Sequence, residues 1–390
     1  MKKIIAVHLS NDRSGNTLIF RESLEALVEK GMEIHLITNG NAHTPGYLTD
    51  LSDIQYHYIN YIERGNKTRL FFSFLLAQMS IFFKVLWLSK KGDKVYVNTL
   101  QPFGAAWASR LKGAQLTYHI HETAIQPAAF GKVMLKSAQL LANQVVYASR
   151  FVQSQFEFKK AEKRVIHSCL PSSFVQEAIL HANHGSRKTI LMVANLEEES
   201  GVNELMELAM AMPKMKFELI IKATYKEIAD HFKGLSVPNN VMIYDTQLNM
   251  HPFYQRAAVV LNLSHASHYQ ETFDISILQA MSYGRPVIVP LAGGANELVA
   301  HGWNGYRISG HYVEQVRKHV EQLLNNKPLY ADMSCAAQLV ASQFKPTHFK
   351  QQVEDVFLEG SCYTPAKKQE VAEVLLYPAA LQEYLNTALN

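Results

Sequence analysis

Cysteine is scarce in this chain: three in 390 residues, at Cys169, Cys335 and Cys362. They lie far apart without paired spacing, which excludes a disulfide framework and a cysteine zinc site and fits a reducing cytoplasm. A surplus of one charge is also lacking, since 38 Lys and Arg face 34 Asp and Glu and leave a formal +4. No overall field draws such a chain onto nucleic acid, and no nucleic-acid partner is expected. Long unbroken apolar runs are missing too. The first apolar stretch follows Lys2 and Lys3, is cut by Asn11, Asp12 and Arg13, and reads as a first β-strand rather than a signal peptide. The longest, residues 70–88, is interrupted by Ser73, Gln78, Ser80 and Lys84 and is not expected to cross a membrane.

What is present is enough apolar material for large interiors. Hydrophobic residues make up 48% and charged residues 18%, a balance that excludes disorder, and the length suits two domains. Short β-branched runs alternate with helical patterns, the form of stacked βαβ units around a parallel sheet. Strands are expected at 4–9, 34–38, 54–58, 94–98, 115–120, 144–148 and 164–167. A polar stretch at 181–189 marks a domain boundary, and the alternation restarts with strands at 190–194, 217–222, 241–244, 259–262, 286–290 and 306–308. The expected organisation is an α/β domain over 1–180, a second over 181–345, and closing helices over 346–390 that pack back toward the first. The tail from Ser361 carries an amphipathic pattern broken by Pro378.

The most specific signal is residues 270–299, QETFDISILQAMSYGRPVIVPLAGGANELV. It reads as a loop feeding a helix near Ile275, then a strand after Gly284, then a Gly-Gly turn. A helix N-terminus at a strand end offers free N–H groups and a dipole that favour a diphosphate. The stretch resembles the donor-binding half of the retaining family 4 glycosyltransferases, with Glu271, Phe273, Ala280, Met281, Gly284, Pro286, Gly293, Gly294 and Glu297 in matching order. The resemblance implies the GT-B fold: two Rossmann-like domains facing across a cleft. It also implies retention, a nucleotide-diphosphate sugar as donor, and neither cofactor nor metal.

Carried over residue by residue, the resemblance gives Glu271 contact with the donor sugar, and places Phe273, Asp274, Ile275 and Gln279 beside the donor. The loop SNDRSGNTLIF looks like the family's small-residue loop beside the diphosphate, with Ser14 and Gly15 as its core. The segment YHIHET resembles the site of the family's cleft histidine, which points to His121; His119 is expected on the other face of the strand.

The sequence departs from the family where a cation is needed. In place of the family's arginine and lysine after the first strand of the second domain stand Asn195 and Ser200, with Glu197, Glu198 and Glu199 between them. A carboxylate within about 4 Å of a diphosphate costs on the order of 1 kcal/mol in water. Asp274 replaces a glycine and is placed to cap the helix a phosphate would use. Gln279 replaces a second glutamate, and Lys222 is a candidate substitute cation. The acidic run has three readings: a solvated loop, a Mg²⁺ site, or lost anion binding.

The expected activity is transfer of a hexose-type sugar to a glycan or lipid-linked acceptor, in bacterial polysaccharide or lipopolysaccharide synthesis at the cytoplasmic face. A catalytically inactive GT-B partner of an active transferase is the competing reading, and a sugar epimerase or phosphorylase a third. The aromatic stretch 69–94, flanked by Lys and Arg, is read either as a peripheral contact with membrane or as a buried domain helix.

Overall fold

In the computed structural model, residues 3–358 are described apart from 42, 63–64, 124, 126–127, 182–188 and 266–271; Glu271 and the tail fall outside the described residues. The chain forms two compact units. The first takes Met1–Cys169 and the segment that begins at Thr347; the second takes Leu170–Pro346.

The first unit runs β1 (Lys3–Val7), α1 (Gly15–Glu29), β2 (Glu33–Asn39), β3 (Ile54–Ile59), α2 (Lys67–Leu88), β4 (Lys94–Asn98), α3 (Phe103–Lys112), β5 (Gln115–Ile120), α4 (Ala128–Leu141), β6 (Gln144–Tyr147), α5 (Arg150–Gln155) and β7 (Glu162–Val165). Its seven strands order β3-β2-β1-β4-β5-β6-β7, all parallel. The sheet is therefore wound in two directions from β1, and the switch point lies between β1 and β4. Alternate residues of β1 serve opposite faces. Ile5 and Val7 join one core with Phe74, Ala77, Ile81 and Val85 of α2, Ala105 and Ala108 of α3, and Met134 and Ala138 of α4.

The second unit runs α6 (Ser172–His181), β8 (Thr189–Ala194), α7 (Val202–Ala211), β9 (Lys216–Ile221), α8 (Tyr225–His231), β10 (Val241–Tyr244), α9 (His251–Arg256), β11 (Ala257–Leu261), α10 (Ile275–Ser282), β12 (Val287–Val289), β13 (Gly305–Arg307), α11 (Val313–Asn325) and α12 (Lys327–Ala341). Its strands order β10-β9-β8-β11-β12-β13, again parallel, with the switch point between β8 and β11. Ile190 and Met192 of β8 face one core while Leu191 faces the other. Those two faces explain why β8 reads as a continuous apolar run.

The last helix, α13 (Pro346–Leu358), belongs with the first unit. Lys350 reaches Glu29 at 2.5 Å, Lys30 pairs with Glu354 at 3.1 Å, and the Phe357 ring lies 4.7 Å from Tyr96. The expected boundary after residue 180 falls one helix later than the change of core. Phe174 and Ala178 of α6 pack with Tyr254, Ile277 and Tyr283 of the second unit. The polar stretch follows that helix, so it marks the end of α6 rather than the end of the first unit.

Candidate functional site

In the second unit the residues around the switch point form one connected set. β8 ends at Ala194 and delivers Asn195; β11 ends at Leu261 and delivers Asn262. Between Asn195 and α7 the chain makes a short turn, closed by the Ser200 hydroxyl donating to the Asn195 carbonyl at 2.8 Å. Ser200 is buried, whereas Glu197 and Glu198 are exposed and Glu199 is half-buried. Gly201 then turns with φ +85°, and a Cβ there would stand 2.5 Å from the backbone of Leu263. Only glycine lets the start of α7 and the loop after β11 approach so closely. No side chain caps α7; a helix start without a cap has N–H groups that water or a ligand can satisfy.

The start of α10 is arranged differently. Asp274 is buried, accepts from the Ile277 amide at 3.0 Å, and takes a hydrogen bond from Asn262 Nδ2 at 2.8 Å. Asn262 in turn accepts from the Ser264 amide and hydroxyl at 3.0 and 2.7 Å. Phe273 is half-buried with its ring 5.7 Å from Phe344, and Ile275 opens the helix. Gln279 is held by the Tyr254 hydroxyl, which donates to its Oε1 at 2.9 Å. A Cβ on Gly294 would meet the Thr272 carbonyl oxygen at 2.2 Å, so the Gly-Gly turn lies against the backbone just before α10.

Lys222 follows β9 and is exposed; its backbone amide donates to Ala194 at 2.9 Å, which sets it beside the end of β8. Glu204, His265 and His311 lie nearby in the fold. His265 Nε2 is 2.7 Å from Glu204 Oε1, and the His265 and His311 rings lie tilted with centroids 3.8 Å apart.

The first unit has its own connected set at the β1/β4 switch point. Ser14 caps α1, accepting from the Thr17 amide at 3.3 Å, and Gly15 is the first helical residue. Asp12 Oδ1 accepts from the Ser14 amide at 3.0 Å and from the Thr17 hydroxyl at 2.5 Å. Burial alone would raise the Asp12 pKa, but these hydrogen bonds outweigh it and hold the carboxyl below its usual range. The Asp12 carboxylate thus lies beside the start of α1 and is held by its cap residue.

Deeper in the same set is a group of buried histidines. His8 accepts at Nδ1 from Asn98 Nδ2 at 3.1 Å and lies 3.0 Å from Thr17 Oγ1. Because the Thr17 proton is directed at Asp12, His8 must donate through Nε2, which is the neutral imidazole. Burial agrees, pushing the His8 pKa down to about 4. Thr99, at the end of β4, has φ +69°, a strained setting for a β-branched residue.

His121 is buried just beyond β5, and its Nε2 has no hydrogen-bond partner among the described residues. Burial, with His119 and His8 close by, drops its pKa well below the usual value, so the ring is neutral. His119 corrects the expectation that it faces away. The two rings lie 4.0 Å apart because residues two apart on a strand share a face. The Glu122 side chain accepts from the His121 amide at 3.0 Å and from the Leu100 amide, and burial raises its pKa. His8, Asn98, Thr99 and Asn262 went unnoticed in the sequence; each sits at or just beyond a strand end beside a switch point, and that position is the signal that could have found them.

The chain is similar to an Anabaena protein, Alr3699/HepE, solved in complex with UDP and glucose: TM-score 0.72 at 19% identity, covering 92% of this chain and 100% of that one. The chain has the GT-B glycosyltransferase fold. Residues 178–340, all within the second unit, match the family model for glycosyl transferases group 1. This GT-B chain is also 23% identical over 163 residues to an uncharacterized glycosyltransferase of Haemophilus influenzae, and 24% identical over 179 residues to N-acetyl-alpha-D-glucosaminyl L-malate synthase of Bacillus anthracis. Those matches cover 40% and 45% of this chain, and 45% and 46% of the relatives, so the chain spans about half the length of the curated relatives it matches.

Proposed function

We propose that this chain is a retaining glycosyltransferase that takes a sugar from a nucleotide-diphosphate donor and passes it to a glycan or lipid-linked acceptor. The setting proposed is synthesis of a bacterial surface glycan at the cytoplasmic face. The observation that carries the reading is the uncapped start of α7 at the second switch point, where Gly201 lies against the Leu263 backbone that follows β11. Amides there grip a diphosphate without a cationic side chain. UDP is the first nucleotide to try, because the Anabaena protein of the same fold was solved with it.

In the reaction, the bond from the anomeric carbon to the diphosphate oxygen breaks and the diphosphate leaves with the electron pair. The acceptor oxygen bonds the same carbon on the same face and gives its proton to the departing group. The protein contributes positioning and fixed dipoles. Glu271, outside the described residues, is assigned to orient the sugar. His121 is assigned to the reacting centre as a neutral imidazole, since its Nε2 has no partner among the described residues. Asn195, Ser200, Lys222, Phe273, Ile275 and Gln279 are assigned to the donor, and Ser14 and Gly15 to its diphosphate. No cofactor or metal enters the proposal.

The second reading, a GT-B partner that transfers nothing, is favoured by one observation: the Asp274 carboxylate fills the start of α10. Nucleoside diphosphate release from a panel of sugar donors separates the two. Turnover that Glu271→Ala abolishes supports transfer; no release with any donor supports the partner.

A further inference from the structure

Helix α2 carries two apolar stripes, and only one has a partner inside the protein. Phe74, Ala77, Ile81, Val85 and Leu88 are buried. The other stripe follows the same helical spacing on the outside: Phe72 is 59% exposed, Leu76 63%, Met79 56%, Phe83 58% and Trp87 79%. The outer face of an ordinary surface helix is polar, and apolar patches beyond a few hundred Å² are rare on monomers.

The patch continues across the neighbouring helices. Gly104 of α3 lies so close to α2 that a Cβ would meet the Gln78 carbonyl oxygen at 2.3 Å, and Phe130 of α4 stacks on Phe71 at 5.0 Å. Trp107 of α3 donates to Ser137 of α4 at 3.1 Å and still exposes its ring, and Leu111 and Leu140 are exposed as well.

Charge identifies the occupant. From Lys67 to Phe156 the sequence has eleven Lys and Arg and two acidic residues, Asp93 and Glu122, in a chain whose totals nearly balance. Asp93 faces Lys3 at 3.2 Å, and Glu122 is held by backbone amides. None of α2, α3 or α4 contains an acidic residue. Exposed Lys67, Arg69, Lys90, Lys91, Arg110 and Lys132 surround the apolar side chains. Lys94 is not among them, since it points to the Phe357 carbonyl.

We infer that α2, α3 and α4 form a docking face for an anionic lipid bilayer, with the aromatic stripe entering the interface and the Lys and Arg meeting headgroups. Helix α2 is long and apolar enough to span, but its inner stripe is committed to the core, so the chain lies on the surface. The inference goes beyond the transfer reading, and binding is measured without activity, so either can fail alone.

The test is flotation of the full chain with phosphatidylcholine vesicles, with and without phosphatidylglycerol. Wild type should float with the anionic vesicles and be released by salt. Each charge removed near an anionic leaflet is worth about fivefold in binding, so K90E/K91E/K132E should lose on the order of a hundredfold. F72S/F83S/W87S should lose binding to the anionic vesicles although every Lys and Arg is kept. As a check that needs no surface variant of the face, Trp303→Phe leaves Trp87 and Trp107 as the only tryptophans, and brominated anionic lipid should quench them. No flotation on anionic vesicles, flotation untouched by the charge reversals, no quenching, or self-association of the free chain through this face would each overturn the inference.

Discussion

The Asp274 carboxylate and the Ile277 amide lie 3.0 Å apart, so the dipole end of α10 is neutralised from within the protein. The same carboxylate is tied to Asn262 at 2.8 Å. A phosphate at this position would meet a buried negative charge before it met an amide.

Asp274→Gly should therefore trade stability for anion binding. Loss of the cap and of the Asn262 hydrogen bond should cost about 2 kcal/mol, while nucleoside diphosphate affinity should rise about tenfold. Thermal melting and calorimetry on the same sample check both. Unchanged affinity would show that the diphosphate never uses α10.

Asn195→Arg restores the charge that this position lacks. Asn195 sits at the end of β8 beside the uncapped start of α7, and a guanidinium there should strengthen UDP binding by about tenfold at low salt, less at high salt. Calorimetry at two ionic strengths reads it, and an affinity indifferent to salt would count against the placement.

Acid should destabilise the first unit through its buried histidines. His8 keeps a proton in the folded chain only below about 4, whereas the unfolded chain holds one up to about 6.5. The unfolded state therefore binds more protons as pH falls between these values, and stability drops over that window, by on the order of 3 kcal/mol for His8 once below it. Burial lowers His119 to about 3 and moves His121 in the same direction. Denaturant melts of wild type and His8→Gln across pH 4 to 7 should show a shallower slope in the variant; parallel curves would contradict the assignment.

Gly201→Ala should damage the second unit selectively. The new Cβ would lie 2.5 Å from the Leu263 backbone at φ +85°, neither of which a side-chain rotation relieves. A loss of about 2 to 4 kcal/mol is expected, with nucleotide affinity falling because the α7 start is displaced. A variant as stable as wild type would show that the two loops are not held together as described.

The sequence carried most of the fold because fully buried parallel strands are short apolar runs between helices, and every strand named from those runs is present within two residues of its expected ends. It misplaced the first domain's end because the polar stretch follows α6, while the packing of Phe174 against Tyr254 and Tyr283 is long-range and leaves no local mark. His119 was put on the wrong face although strand spacing alone sets it beside His121. Asp274 as a helix cap was legible from residue type and position. The networks of His8 with Asn98 and of Asn262 with Asp274 were not, because the topology joins strand ends up to 90 residues apart.

The central claim is that backbone amides at the second switch point hold a diphosphate without the usual cations. Titration calorimetry of the chain with UDP, GDP and ADP tests it most directly. The account predicts saturable one-to-one binding of at least one of them, weakened by Gly201→Ala and strengthened by Asp274→Gly. No heat with any of the three, at concentrations where the Asp274→Gly chain also fails to bind, would contradict it.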